Sequence, residues 1–139
     1  MAGKISAKGA VITLDNAAGS AQTISTDVES YEIEWAVGAE EVTGFGDGSG
    51  NFVPGLPVAS ITLNLFYDTT ATTGAWTVVR AIIGHATSKT VSITPEAGLA
   101  FSGEFMCAGV NVVGDAKGSP AKLGAVKFMP MGAVAAAWA

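Results

Sequence analysis

Hydrophobic and polar residues alternate along most of this chain, a pattern typical of strands with one packed face and one solvated face. The clearest segments are Glu29 to Val37 and Ala59 to Tyr67. In the first segment, the face predicted to pack carries Tyr31, Ile33, Trp35 and Val37. In the second segment, it carries Ile61, Leu63, Leu65 and Tyr67.

The same alternation predicts further strands, and turn residues separate most of them. They cover Ala10–Asp15, Ala21–Ser25, Lys89–Thr94, Phe101–Val113 and Leu123–Met129, with Ala133–Trp138 as a candidate extension and a turn at Glu96–Gly98. Many short strands without long helices predict a mainly β fold, an antiparallel β-sandwich or barrel.

One segment breaks the alternation and predicts the only helix, over residues 73–84. Its large apolar side chains, Trp76, Val79 and Ile83, recur at spacings of three and four, as on one face of an α-helix. Thr72 or Thr73 could cap its start, and Gly84 could end it. Trp35 and Trp76 are both predicted to lie in the core.

A glycine-rich segment between the two clearest strands, over residues 42–58, predicts a long surface loop. It carries apolar residues where loops are usually polar, and Pro54 and Pro57 stiffen its exit. The residues expected to dock onto another surface are Phe45, Asp47, Phe52, Val53, Pro54 and Leu56. This segment favours an assembly protein over an enzyme.

Composition indicates one domain, residues 1–139, with an unusually uncharged surface. Hydrophobic residues make up 49% and charged residues only 14%, so much of the surface is expected to be buried against copies of itself. Residues 1–70 carry nine acids and two bases, and residues 71–139 carry three acids and five bases. This asymmetry either favours head-to-tail contacts or reflects chance. The absence of a Lys/Arg cluster argues against a nucleic-acid-binding basic patch.

No set of residues predicts catalysis or a cofactor, so the chain is not expected to be an enzyme. His85 is the only histidine, no G-x-S-x-G motif presents a serine, and His85 is expected to cap the helix end. Cys107 is the only cysteine and is expected to be a core residue, so no intrachain disulfide or zinc site is expected. The glycine segment fits neither a P-loop nor a calcium loop. With no signal peptide or membrane span, synthesis in the cytoplasm is expected.

The order of these elements resembles the major tail (tail tube) proteins of long, non-contractile-tailed bacteriophages. The residues that carry the resemblance are Thr43, Gly46, Asp47, Pro54, Gly55 and Leu56, then Ile93–Pro95 and Phe101–Gly103. The resemblance covers nearly the whole chain as an order of elements. The sequence is short for that family, and the C-terminal immunoglobulin-like domain of some members is not expected here.

The resemblance implies a virion protein whose hexameric rings stack into a hollow tube that conducts DNA. Strands of all subunits would close one barrel around an acidic lumen, with Glu32 and Glu34 as candidate lumen-facing residues. The segment 42–58 would contact the adjacent ring. The implied partners are the chain itself, a tail-tip or baseplate initiator, a tape measure protein, a tail terminator and viral DNA passing without specific binding, with no membrane.

Three other functions remain open from the sequence. Tubes of contractile tails and type VI secretion systems share the fold implied by the resemblance. A monomeric β-sandwich binding or adhesion module would instead expose an aromatic patch and bind a ligand. An enzyme is the third alternative. A separate hypothesis is that Trp138 docks onto a neighbouring subunit.

Overall fold

The computed structural model of the chain describes residues 8–95, 98–132 and 136–138, and these form eight strands and one α-helix. The elements are β1 (Val11–Asp15), β2 (Ala21–Thr23), β3 (Val28–Glu41), β4 (Phe52–Phe66), α1 (Ala75–Ile82), β5 (Lys89–Thr94), β6 (Phe101–Val113), β7 (Lys122–Pro130) and β8 (Ala137–Trp138). A single 3₁₀ turn, Ser25–Asp27, precedes β3. The predicted class, mainly antiparallel β structure with one flanking helix, is confirmed.

All the strands belong to one antiparallel sheet in the order β2-β1-β5-β6-β7-β4-β3, and β8 pairs with the start of β6. Buried side chains from β1, β4, β5, β6 and β7 form one cluster, so the sheet wraps around a common core. The helix packs its apolar face into the same cluster. That face carries Ala75, Val78, Val79 and Ile82.

The alternation of β4 and β6 places their core residues as expected from the sequence. Ile61, Leu63 and Leu65 of β4 are buried. Phe101, Phe105 and Cys107 of β6 are buried as well, and burial raises the pKa of the Cys107 thiol. In β4, the residues between them, Thr62 and Asn64, face away from the core.

The helix begins in a way that the sequence did not indicate. Neither Thr72 nor Thr73 caps it: the N-cap is Gly74, without a side-chain hydrogen bond. The Asp27 carboxylate, which arrives from the 3₁₀ turn, accepts a hydrogen bond from the Ala75 N–H at 3.1 Å. The cap is therefore supplied by tertiary structure, and the prediction of a local threonine cap is wrong.

A side chain at position 74 has no room, because an added Cβ would lie 2.5 Å from the Asp68 carbonyl oxygen. That carbonyl accepts the next helical N–H, from Trp76, at 3.0 Å. At the other end Gly84 adopts a φ of 67°, which glycine tolerates without strain. His85 is exposed, and its backbone N–H donates to the Ile82 carbonyl at 3.0 Å.

The strands β3 and β4 are longer than the sequence indicated. β3 continues to Glu41 instead of bending at residues 38–42, and β4 already begins at Phe52. Of the candidate extension 133–138, Ala137–Trp138 forms β8, whereas residues 133–135 lie outside the described residues. The predicted turn at 96–98 also lies largely outside them. No helix in the described part of the chain is long and apolar enough to cross a membrane.

Candidate assembly surface

Strands β3 and β4 together extend beyond the rest of the sheet as a two-stranded projection. β7 pairs with β4 only over Ile61–Phe66, whereas β3 pairs with β4 from Leu65 to Phe52. Every residue from 36 to 58 is exposed. We call residues 36–58 the arm. An isolated two-stranded hairpin is marginally stable in water, so packing against a partner would stabilise an arm of this kind.

Apolar side chains project from both strands and from the tip of the arm. The exposed ones are Val37, Val42, Phe45, Phe52, Val53, Leu56 and Val58. Leu56 is 87% exposed and Phe45 is fully exposed. The charged residues of the arm are Glu40, Glu41 and Asp47, with no Lys or Arg. The arm therefore offers a partner an apolar surface of net negative charge.

The tip of the arm is held by its own hydrogen bonds. The Asp47 N–H donates to the Gly44 carbonyl at 3.1 Å, and Gly46 has a φ of 100°, which makes a turn with Phe45 at its first central position. The Asp47 carboxylate closes the turn by accepting the Gly44 N–H at 2.7 Å. Phe45 is thus presented to solvent by a defined turn, which lowers the entropy lost when it contacts a partner.

A second set of hydrogen bonds closes the hairpin behind the turn. The Val42 N–H donates to the Asn51 carbonyl at 2.8 Å, and the Asn51 N–H donates to the Thr43 hydroxyl at 2.8 Å. The residues singled out from the sequence therefore all lie on the arm. Phe45 and Asp47 are at its tip, and the other four, Phe52, Val53, Pro54 and Leu56, are in strand β4.

Glu32 and Glu34 lie on the sheet face opposite the core, before the arm begins. Their cross-strand neighbours are Thr62 and Ser60, and both glutamates are exposed. Lys127 of β7 is also opposite Thr62, on the same face. This face is polar and carries both signs of charge, rather than acidic groups alone.

Further along that face, Lys122 forms an ion pair with Glu29 at 2.7 Å, and its ammonium lies 5.7 Å from the ring centroid of Phe66. The side chains of the pair are both more than 40% exposed, so the ion pair is a weak contributor to stability. The ion pair partly neutralises Lys122, one of the two lysines described on this face with Lys127, and so reduces the positive charge available to a ligand there.

An aromatic cluster lies where the arm joins the body. Trp35 and Trp138 each pack on Phe101. The ring centroid of Phe101 lies 6.1 Å from that of Trp35 and 4.9 Å from that of Trp138. Trp35 is 53% exposed, so the prediction that it lies in the core is wrong: its face of β3 leaves the body at this point. Trp76 is half-buried and stacks on Tyr67 at 5.5 Å. The sequence contained no signal for the Trp138 contact, because it joins distant strands.

Two carboxyl groups meet near the start of the helix. Burial, followed by a hydrogen bond with Asp68, raises the pKa of Asp27, although the Ala75 N–H lowers it. The hydroxyl of Thr70 donates to Asp68 at 2.6 Å and, with further hydrogen bonds, lowers the pKa of Asp68. The opposite shifts indicate that Asp27 holds a proton to higher pH than its neighbour.

Within the described ranges, no group of three or more His, Cys, Asp or Glu residues is placed to hold a metal ion. The largest groove described, about 420 Å³, lies between β1 and the start of β3, and it is lined by Lys8, Ala10, Ile12, Ser25, Val28, Glu29, Ser30 and Tyr31. The arm, with its exposed apolar side chains, is therefore the candidate assembly surface.

Comparison with known proteins gives no matching family model and no matching curated protein. Solved structures do match. A chain in the virion of a native gene transfer agent (GTA) particle has a TM-score of 0.72 and 18% identity, covering 94% of this chain and 96% of that one. A chain in the tail of an empty GTA particle, refined helically with C6 symmetry, has a TM-score of 0.68 and 21% identity, covering 91% and 94%. The resemblance expected from the sequence is thus confirmed in the fold.

Proposed function

We propose that this chain is the structural subunit of a tail tube in a phage-like particle. Copies form rings, six to a ring, and the rings stack into a hollow tube through which DNA passes without specific binding. The protein then belongs to the virion tail and acts through assembly rather than catalysis.

The arm is the observation that carries this proposal. A hairpin with apolar residues on both strands, all exposed, is unfavourable for a protein that stays monomeric. A head-to-tail contact, in which the arm of one copy lies on a different surface of the next, repeats indefinitely and produces rings or filaments. Stacked rings bury the arm of every copy except those at the end of the tube.

The comparisons support the same function. Both matching chains come from GTA particles, one of them from a tail with C6 symmetry, and each match covers more than nine-tenths of either chain. The six-fold ring of our proposal follows that symmetry. Glu32 and Glu34 are proposed to face the lumen, because they stand on the polar face of the sheet, away from the core.

The other partners in this proposal are an initiator at the tail tip or baseplate, a tape measure protein within the tube and a terminator that stops growth. Each meets one requirement of a tube: the initiator provides a nucleus, the tape measure protein sets the length, and the terminator ends growth. The initiator matters most for experiments, because a subunit that cannot start a tube alone stays monomeric after purification.

The test is electron microscopy of the purified protein after its mass has been measured by light scattering. Stacked rings or hollow tubes, alone or after addition of the tail-tip initiator, are the expected result. A protein that stays monomeric at high concentration with the initiator present, and that binds a small ligand at its exposed aromatic residues, would overturn the proposal in favour of a binding module.

A further inference from the structure

Within the described chain, the arm has two open strand edges, and they differ in proline content. β7 pairs with β4 only from Ile61 to Phe66. On that side of β4, residues 52–60 therefore have no partner strand and present an open edge. Strand β3 is open along its whole outer side, because β4 is its only partner. β4 contains Pro54 and Pro57 in its open stretch, whereas β3 contains no proline.

Hydrogen bonds at the arm's tip establish which way the ring nitrogen of Pro54 points. The Val42 N–H donates to the Asn51 carbonyl at 2.8 Å, so these two residues form a hydrogen-bonded pair. Hydrogen-bonded and non-hydrogen-bonded pairs alternate along an antiparallel ladder. Ala39 and Pro54, three pairs further on, form a non-hydrogen-bonded pair. The nitrogen of Pro54 therefore points away from β3, toward the open edge.

Hydrogen bonds at the far end of β4 give the same answer for Pro57. The Tyr67 N–H donates to the Ala121 carbonyl at 2.9 Å, on the side of β7. Alternate residues of a strand direct their N–H groups to the same side. Pro57 precedes Tyr67 by an even number of residues, so its nitrogen points to the β7 side of β4, which is open beyond Ile61.

A β-bulge makes these two positions equivalent. Val37 pairs with Pro57 and Ala39 pairs with Pro54, so two steps along β3 match three along β4. The extra residue lies at Gly55–Leu56. Pro54 and Pro57 are three residues apart and would face opposite edges in a regular strand, but the extra residue places both nitrogens on the same edge. Neither proline removes a hydrogen bond between β3 and β4, and both remove a donor from the open edge.

We propose that Pro54 and Pro57 are an edge guard: they stop the arm of a second copy from adding as a β-strand along β4, and so leave β3 as the unblocked edge. Exposed strand edges recruit other edges, and identical arms in solution are the nearest ones available. Four backbone nitrogens point toward the open edge, those of Phe52, Pro54, Pro57 and Ala59. The two prolines among them carry no N–H, so they donate no hydrogen bond there. The inference rests on the proposed function only in treating the arm as the assembly element.

The test restores the missing donors. The Pro54→Thr/Pro57→Thr variant regains two N–H groups and adds little apolar surface. Monomer is isolated by size exclusion, and its aggregation is followed by light scattering and thioflavin T at a concentration where the unaltered chain forms no tubes. We expect a several-fold shorter lag than for the unaltered chain. Pro120→Thr, in the turn between β6 and β7, is the matched control and should leave the lag unchanged.

A rescue variant separates the edge guard from a general effect of proline. In the doubly substituted background, Phe52→Pro returns a proline to the open edge and should lengthen the lag again, whereas Phe52→Thr should not. A lag equal to that of the Pro120→Thr control, with unchanged circular dichroism, would overturn the proposal. If the double variant does not fold, the single variants test one donor each. The assay uses monomer, so a failure of tube formation in the unaltered chain is a separate result.

Discussion

Trp138 packs against Trp35 with their ring centroids 6.4 Å apart, and both rings lie on the buried Phe101. The contact joins β8 to the part of β3 that directly precedes the arm. We expect Trp138→Ala to lower the free energy of unfolding by about 1–2 kcal/mol, less than for a fully buried ring because Trp138 is half-exposed. Urea denaturation followed by far-UV circular dichroism measures this. Trp138→Phe should retain most of the stability, and an unchanged Trp138→Ala variant would contradict the contact's role.

The carboxyl pair at the helix start predicts a pH dependence of stability. Because the folded-state pKa of Asp27 is raised, its contribution is present below its unfolded pKa, about 4, and is lost as the pH rises through the folded value. The pKa of Asp68 is lowered, so its contribution is fully present above its unfolded pKa, about 4, and is lost as the pH falls through the folded value. Asp27→Asn keeps an acceptor for the Ala75 N–H but cannot ionise. Its stability relative to the unaltered chain should therefore increase as the pH rises above about 4.

The control for this experiment removes the acceptor as well. Asp27→Ala leaves the Ala75 N–H without its side-chain partner and should lose about 1 kcal/mol, as for other helix caps. Thermal and urea unfolding across the pH range give both comparisons. If Asp27→Asn and the unaltered chain keep the same difference at every pH, then Asp27 does not titrate differently in the folded state.

Alternation was a reliable guide for strands that stay within the body and a poor one at the arm. Ile61, Leu63 and Leu65 are buried as the pattern indicates. Trp35 belongs to an equally regular pattern but is half-exposed, because periodicity identifies an apolar face and not the element that covers it. Whether that face is buried depends on where β7 stops pairing with β4. This pairing joins residues that are distant in the sequence, so a local pattern does not reveal it.

The segment 52–58 shows the converse error. Pro54, Gly55 and Pro57 are ordinary signals of a loop, yet they lie within β4. Proline is compatible with a strand when its nitrogen faces an open edge, and the sequence does not indicate which edges are open. The glycine-rich tip 42–51, in contrast, lies outside both strands, as its composition indicates. The role of the arm in assembly remains a proposal.

Charged substitutions on the arm test that role directly. Phe52→Asp and Leu56→Asp should leave the free energy of unfolding within about 0.5 kcal/mol, because both side chains are exposed. The same variants should form few or no stacked rings, since stacking would bury a carboxylate against an apolar surface. Val112→Asp, an exposed residue near the β6–β7 turn, is the matched control. Normal tubes from the arm variants, seen by electron microscopy, would show that the arm does not mediate stacking.

The position of Glu32 and Glu34 is open to chemical labelling. Each is replaced in turn by Cys and treated with a maleimide too large to enter the tube, and the native Cys107 is buried and should react slowly. We expect rapid labelling of the monomer, where both positions are exposed, and protection in the assembled tube. Equally fast labelling of tube and monomer would place these residues on the outer surface.

The open edge of β3 gives the last prediction, which compares two neighbouring substitutions. Ala39 directs its N–H away from β4, because it pairs with Pro54 at a non-hydrogen-bonded position, whereas Glu40 directs its N–H toward β4. Ala39→Pro should therefore keep the hairpin but remove a donor from the β3 edge, and Glu40→Pro should break the hairpin ladder. If subunits join through the β3 edge, Ala39→Pro should reduce ring formation while amide hydrogen exchange in the arm stays as slow as in the unaltered chain. Glu40→Pro should accelerate that exchange, so the two variants separate loss of an edge from loss of the arm.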